Sequence, residues 1–205
     1  MQAVVLGSGS QYRAQLLTRL NIRFTTISPD IDESAKPDEL PVDLAARLAR
    51  QKAHKAKDLM IAARHATQPQ QPAHLPIIIA SDQVASNSSI VLGKPGTVEK
   101  ACSQLASMSG SDVTFFTSLF MLNTRTDETF SAMDVTQVKL RKLDAHEIAR
   151  YVAADDPLQC AGSFKVESLG ISLFQAIQSD DPTALIGLPM IKLCEGLRRF
   201  GLDVP

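Results

Sequence analysis

The chain has few cysteines, no excess of either charge and no long apolar run, and each shortage removes a class of protein. Its three cysteines, Cys102, Cys160 and Cys194, lie far apart in 205 residues. An odd, scattered set fits neither a disulfide framework nor a zinc site. It predicts buried free thiols, as in a reducing cytoplasm. Lysine and arginine number 21 against 22 acidic residues, for a formal charge of −1. A nucleic-acid surface would need a basic excess, so none is expected. No apolar stretch reaches the roughly 18 residues of a membrane span. The opening residues, MQAVVLGSGS, lack the basic start and apolar core of a leader and read as a short strand and a loop. His54, His65, His74 and His146 are scattered without ligand-like neighbours, which assigns them to surface or packing.

What is present is ordinary globular material, with 44% hydrophobic and 21% charged residues. The length suits one domain, residues 1–205, or one domain with two lobes. Ala3–Leu6 predicts a buried strand, and Ser10 a cap for a helix to about Leu20. Phe24–Ile27 reads as a strand, followed by an acidic loop and a helix over Val42–Ala63 opened by Pro41. Thr67–Pro76, rich in proline and glutamine, predicts a surface connection. Ile77–Ala80 is a continuous apolar strand, expected to end in Ser81-Asp82-Gln83. Thr97 caps a helix to about Met108, Val113–Leu122 and Phe130–Leu143 form a long hairpin, and Asp144 caps a helix to about Ala153. Ser172–Ile177 reads as a strand and Pro189–Phe200 as the last helix. Strands and helices mix without strict alternation, which predicts an α/β fold with a mixed, bent β-sheet flanked by helices.

Several segments have the chemistry to bind a polyanion. Ser8-Gly9-Ser10-Gln11-Tyr12-Arg13 joins a strand to a helix, where small residues, unpaired N–H groups and the helix dipole suit a phosphate and Arg13 offers a fork of donors. The same residues also make a simple capped helix, and no Walker loop follows. Glu33 lies in an acidic loop that could hold a divalent ion or stay solvated. Lys52 continues the Leu44–Leu48 stripe of its helix; it either snorkels to water or points into a cleft. Asp82, after three isoleucines, is expected at the end of a core strand, where α/β proteins often place active-site groups. It could equally cap the turn there. Lys94 stands in a rigid Gly-Lys-Pro turn. Lys165 and Glu167 stand two apart and would share one face of an extended segment.

Together and in order, these segments resemble the Maf family of nucleotide pyrophosphatases. The opening block is similar to the family's S-x-S-x-R-R, Asp32-Glu33 to its D-E segment and Gln51-Lys52-Ala53 to its E-K-A. Ser81-Asp82-Gln83-Val84, Gly93-Lys94-Pro95 and Ile186-Gly187-Leu188-Pro189 match further blocks. The resemblance implies a Maf/ITPase-like fold of two lobes about a central cleft. It implies metal-dependent cleavage of a nucleoside triphosphate between the α and β phosphates, in a house-cleaning role. Members acting on dTTP and UTP keep a double arginine and carry a G-K-A-G-x-Y block. Here Tyr12 replaces the first arginine, and Ala-Gly-Ser-Phe-Lys-Val-Glu replaces that block. Both features resemble the branch acting on 7-methyl-GTP, although Tyr12 stands for its usual tryptophan and Gln11 for its usual proline.

The resemblance casts Asp82 as proton acceptor for the attacking water, and Glu33 and Asp82 as ligands to Mg²⁺ or Mn²⁺. Ser8, Ser10, Arg13, Lys52, Lys94 and Lys165 would hold phosphates, while Tyr12, Gln83 and Glu167 would set the base preference. An aromatic face attracts a cationic methylated guanine, and a carboxylate accepts from its N–H edge. The implied setting is cytoplasmic, with a nucleotide substrate, no nucleic acid, no membrane, and room for a homodimer. Two alternatives stay open: the same chemistry on dTTP or UTP, and a nucleotide-binding regulator of septum formation without turnover.

Overall fold

The computed structural model describes residues 3–67, 75–88 and 90–204. The connection expected at Thr67–Pro76, and the readings of the His65 side chain and of His74, fall largely or wholly outside this set. Among the described residues one sheet of seven strands runs in the order β2-β1-β3-β5-β6-β7, with β4 paired to the end of β3 on the edge opposite β5. The strands are β1 (Val4–Gly7), β2 (Phe24–Ile27), β3 (Ile77–Asn87), β4 (Ile90–Leu92), β5 (Asp112–Asn123), β6 (Thr129–Leu140) and β7 (Phe174–Gln178). β1 runs parallel to β2 and β3, and the remaining pairs are antiparallel. The helices are α1 (Gln11–Thr18), α2 (Pro41–Thr67), α3 (Val98–Met108), α4 (Ala145–Asp155) and α5 (Met190–Arg199).

The apolar run Ile77–Ala80 has no polar alternation because helices cover both faces of the sheet there. Ile77 and Ile79 pack with Leu16 and Leu17 of α1 and Leu193 and Leu197 of α5. Ile78 and Ala80 point the other way, onto Ala49, Ala53 and Ala56 of α2. Each fully buried Leu or Ile contributes about 1.5–3 kcal/mol. A second core lies at the far end of the same long strands, where α3 and α4 cover Ala85, Val113, Phe115, Val138 and Leu140. β3, β5 and β6 therefore span two lobes, each with its own core, and the cleft opens between them.

The structure departs from the sequence expectations at four places. β3 does not end at Ser81-Asp82-Gln83 but continues to Asn87, because Ser81, Asp82 and Gln83 pair with Leu119, Ser118 and Thr117 of β5. Asp82 is thus a mid-strand residue; the loss of apolar character marks the cleft rather than the strand's end. β4, absent from the sequence reading, is a short arm paired to the extension of β3. The Lys165–Glu167 segment is not extended: it forms turns after a short 3-10 helix at Ala161–Ser163. The strand expected at Ser172–Ile177 begins two residues later, after a 3-10 helix over Leu169–Leu173. The capping residues Ser10, Thr97 and Asp144 stand where their side chains imply, and Asp144 and Glu147 close a reciprocal capping box.

Candidate active site

Three elements place charged groups at the mid-point of β3. α2 lays Leu44 and Leu48 into a small core, and the same face carries Lys52 one turn further along. Only 8% of Lys52 is exposed, so it does not snorkel. Its Nζ lies 2.5 Å from Asp82 Oδ1 and 2.6 Å from Glu33 Oε1. Asp82 itself is 6% exposed. The loop carrying Glu33 is tied to α2 by Arg47, which donates to Glu39 Oε1 at 2.6 Å and to the Ser34 carbonyl at 2.9 Å.

The two carboxylates on this one ammonium are driven apart in proton affinity. Burial pushes the Asp82 carboxyl up, and the nearby Lys52 and Arg13 charges oppose that without cancelling it. Partial burial also pushes Glu33 up, but its hydrogen bond to Lys52 and the charges of Lys52, Lys94 and Arg13 prevail and leave it lowered. One acid better suited to taking a proton and one better suited to remaining an anion therefore face the same space.

The β1–α1 turn forms the adjoining wall. Ser8 is buried and its hydroxyl accepts from the Ser10 amide (3.1 Å) and from Arg13 Nη1 (3.2 Å). Ser10 caps α1 by accepting from the Arg13 amide. Arg13 Nε donates to the Gly187 carbonyl at 2.8 Å, and Ser81 Oγ donates to the same oxygen at 2.8 Å. Gly187 has φ +120°, and a Cβ there would meet Arg13 Nε at 3.3 Å, so a side chain would strain both the backbone and the guanidinium. Lys94, exposed in its turn, lines the cleft mouth.

The cleft has a volume of about 780 Å³, the size of a small-molecule site. Beyond Gln83 its lining changes from charged to aromatic and apolar, with Phe115, Phe164, Val166 and Leu185. Tyr12, Cys160 and Glu167 flank this end. The Gln83 amide nitrogen donates to Thr117 Oγ1 and to the carbonyls of Ala184 and Leu185 at 2.9–3.1 Å, so it also positions the loop that carries Gly187. Burial pushes the Glu167 carboxyl up, with Asp155 adding to the effect and Lys165 opposing it.

Ser8, Ser10, Tyr12, Arg13, Glu33, Lys52, Asp82, Gln83, Lys94 and Glu167 all line this one cleft. Lys165 does not. Its Nζ donates to the Asp155 carbonyl at 2.5 Å and its amide to the Tyr151 hydroxyl at 3.0 Å, because the turn directs it back onto α4. The structure therefore places Lys165 against α4, apart from Arg13, Lys52 and Asp82. The sequence reading missed Arg47, which orients the Glu33 loop; it named the block Ile186–Pro189 but not that the Ala184–Gly187 segment receives Arg13, Ser81 and Gln83. Gly187 before Leu188-Pro189 was a visible turn signal; Arg47 had none beyond its place on α2. His54, assigned to surface or packing, stacks on Phe120 with ring centroids 5.8 Å apart. The three cysteines are free but only half-buried, and Cys160 forms part of the cleft wall. Among the described residues no helix is long and apolar enough to cross a membrane.

The Maf-like protein family model matches residues 3–200 of this chain. A 7-methyl-GTP pyrophosphatase of Pseudomonas putida is 48% identical over the full length of both chains. Another, from Xanthomonas axonopodis pv. citri, is 46% identical over the same span. The solved structure of a HAM1 protein from Coxiella burnetii aligns at a TM-score of 0.50 with 15% identity, covering 97% of this chain and 100% of that one. At that identity the likeness concerns the fold alone.

Proposed function

The chain belongs to the Maf family, and from that premise we propose that its cleft hydrolyses 7-methyl-GTP to 7-methyl-GMP and pyrophosphate. The family's pyrophosphatase chemistry needs a proton acceptor, cations for a polyphosphate and a surface for a base, and one cleft presents all three. The observation that carries the reading is the buried Asp82 carboxylate, raised in proton affinity and set between Lys52 and Arg13.

In the proposed reaction a water near Asp82 attacks the α-phosphorus. The new P–O bond forms from the water oxygen, the α–β bridging P–O bond breaks, pyrophosphate leaves with that electron pair, and the water's proton passes to Asp82. A carboxyl pushed up by burial is a better acceptor near neutral pH than an ordinary aspartate. Lys52 engages Oδ1, which leaves Oδ2 for the water. Arg13, Lys94 and the start of α1 hold phosphate oxygens and stabilise charge moving onto the leaving group. Tyr12 stacks on the methylated base, and Glu167 accepts from its N–H edge.

Mg²⁺ or Mn²⁺ fits this donor set only together with substrate. Glu33 and Asp82 converge on one ammonium and offer oxygen donors. Among the described residues no group of three or more His, Cys, Asp or Glu side chains could hold a metal unaided. Two carboxylates completed by phosphate oxygens and water is a usual arrangement for Mg²⁺. Bound there, the ion would neutralise phosphate charge and lower the pKa of a water.

A panel of 7-methyl-GTP, GTP, dTTP and UTP, with pyrophosphate detection and with or without EDTA, tests the reading. The largest kcat/KM is expected for 7-methyl-GTP, lost in EDTA and restored by Mg²⁺ or Mn²⁺. Preference for dTTP or UTP would overturn the base assignment. Full activity in chelator would remove the metal. Nucleotide binding without pyrophosphate release would favour the regulator instead.

A further inference from the structure

Asp155, the last residue of α4, is 8% exposed. Its Oδ1 accepts from the Ser168 hydroxyl at 2.5 Å. Its Oδ2 is buried with no close hydrogen-bond partner among the described residues, and the Tyr151 hydroxyl lies against the same carboxyl. Such an oxygen is costly, and a carboxylate at the C-terminal end of a helix also meets the negative end of the helix dipole. The adjacent cation does not relieve it, because Lys165 Nζ donates to the Asp155 backbone carbonyl.

The same residue anchors the turn that bears Glu167. Lys165 and Ser168 flank Glu167 and both bind Asp155, one at its carbonyl and one at its carboxylate. The turn is closed on the Lys165 carbonyl by the amides of Ser168 and Gly170. A Cβ at Gly170 would collide with the Lys165 backbone, so only glycine allows this closure. The Lys165 amide is held one helical turn back on α4 by Tyr151.

We propose that Asp155 is a specificity-determining residue: its buried charge, set behind Glu167, biases the base end of the cleft toward a positively charged base. The inference rests on the reading of the cleft as a 7-methyl-GTP site. GTP and 7-methyl-GTP present the same hydrogen-bonding edge and differ by one methyl and one delocalised positive charge. Glu167 reads the shared edge, Tyr12 attracts the cationic ring, and a negative field at this end would add to that preference. Asp155 and Glu167 place two carboxyl groups beside the single cation of Lys165. Both raise the proton affinity of the Tyr12 hydroxyl across the cleft, after the larger effects of burial and Cys160 and against Lys165.

The test is kcat and KM for 7-methyl-GTP and GTP in the wild type, Asp155→Asn and Ser168→Ala. Asn keeps an acceptor for Ser168 and removes the charge. It is expected to lower the 7-methyl-GTP to GTP ratio of kcat/KM roughly three- to tenfold, a modest screened Coulomb effect. The change should appear in KM for 7-methyl-GTP, with kcat and the GTP values held. Ser168→Ala keeps the charge and cuts the anchor, so both KM values should rise and the ratio should stay. An unchanged ratio in Asp155→Asn, or equal losses on both nucleotides, would overturn the inference. If the Asn variant does not fold, a ratio that collapses in Ser168→Ala overturns it and a retained ratio supports it. A wild type without preference for 7-methyl-GTP sinks the substrate reading and this inference together, before any variant is compared.

Discussion

The two ends of the cleft are built differently. At the end proposed to face the phosphates, regular elements carry three charged groups: the middle of β3 for Asp82, one face of α2 for Lys52 and the first turn of α1 for Arg13. Both cations on these elements are already engaged, Lys52 by two carboxylates and Arg13 by a carbonyl and a hydroxyl. The end proposed to face the base rests on 3-10 turns after α4, where Glu167 is exposed and its turn is tied to α4 through Lys165 and Ser168. Preorganised charge belongs where the proposed chemistry occurs. An adjustable turn belongs where substrates are told apart. The difference implies that changes at the first end strike turnover and changes at the second strike substrate choice.

Asp82→Asn should break the first end most severely. Turnover on every nucleotide is expected to fall by roughly 10²–10⁴, the usual contribution of a positioned acid–base group, while circular dichroism stays native. Near-normal turnover in a folded Asn variant would remove Asp82 from the acceptor role. Glu167→Ala should sharpen the contrast. A lost hydrogen bond to a charged group costs about 1.5–3 kcal/mol, so kcat/KM for 7-methyl-GTP should drop roughly 10- to 100-fold and that for UTP much less. Equal losses across the panel would erase the distinction between the two ends.

Two smaller effects follow from the same division. Folding raises the Asp82 proton affinity, so the native state holds that proton more tightly than the unfolded chain. The associated stability is present below the ordinary aspartate pKa, near pH 4, and is lost as pH rises through the raised value. Asp82→Asn should therefore weaken the fall in Tm between about pH 4 and pH 7; a slope unchanged from wild type would show that this carboxyl does not titrate differently on folding. Lys165→Met should be milder still. It removes one hydrogen bond, worth about 0.5–1.5 kcal/mol, and should leave competitive inhibition by pyrophosphate unchanged. A clear weakening of that inhibition would return Lys165 to the phosphates.

The same contrast explains what could be read in advance. Helix periodicity put Lys52 on the stripe of Leu44 and Leu48, and the capping serine put Arg13 in the first turn of α1, so their placement was legible from spacing. The central run Ile77–Ala80 revealed a covered strand but not its continuation, because cleft-facing residues need not be apolar. Asp82 was consequently placed at a strand end rather than mid-strand. At the base end, a spacing of two between Lys165 and Glu167 suggested one face of an extended segment. The backbone there is instead bent by Gly162, at φ +75°, and by the turn closed at Gly170, which sends Lys165 to α4 and leaves Glu167 in the cleft. Local spacing cannot specify such a turn, because its geometry depends on tertiary bonds to Asp155 and Tyr151.

Hydrolysis in water enriched in heavy oxygen tests the central claim most directly. The proposed attack on the α-phosphorus requires that the label appear in the nucleoside monophosphate and that the pyrophosphate be unlabelled. Label in the pyrophosphate would place the attack on the β-phosphorus and contradict the role given to Asp82.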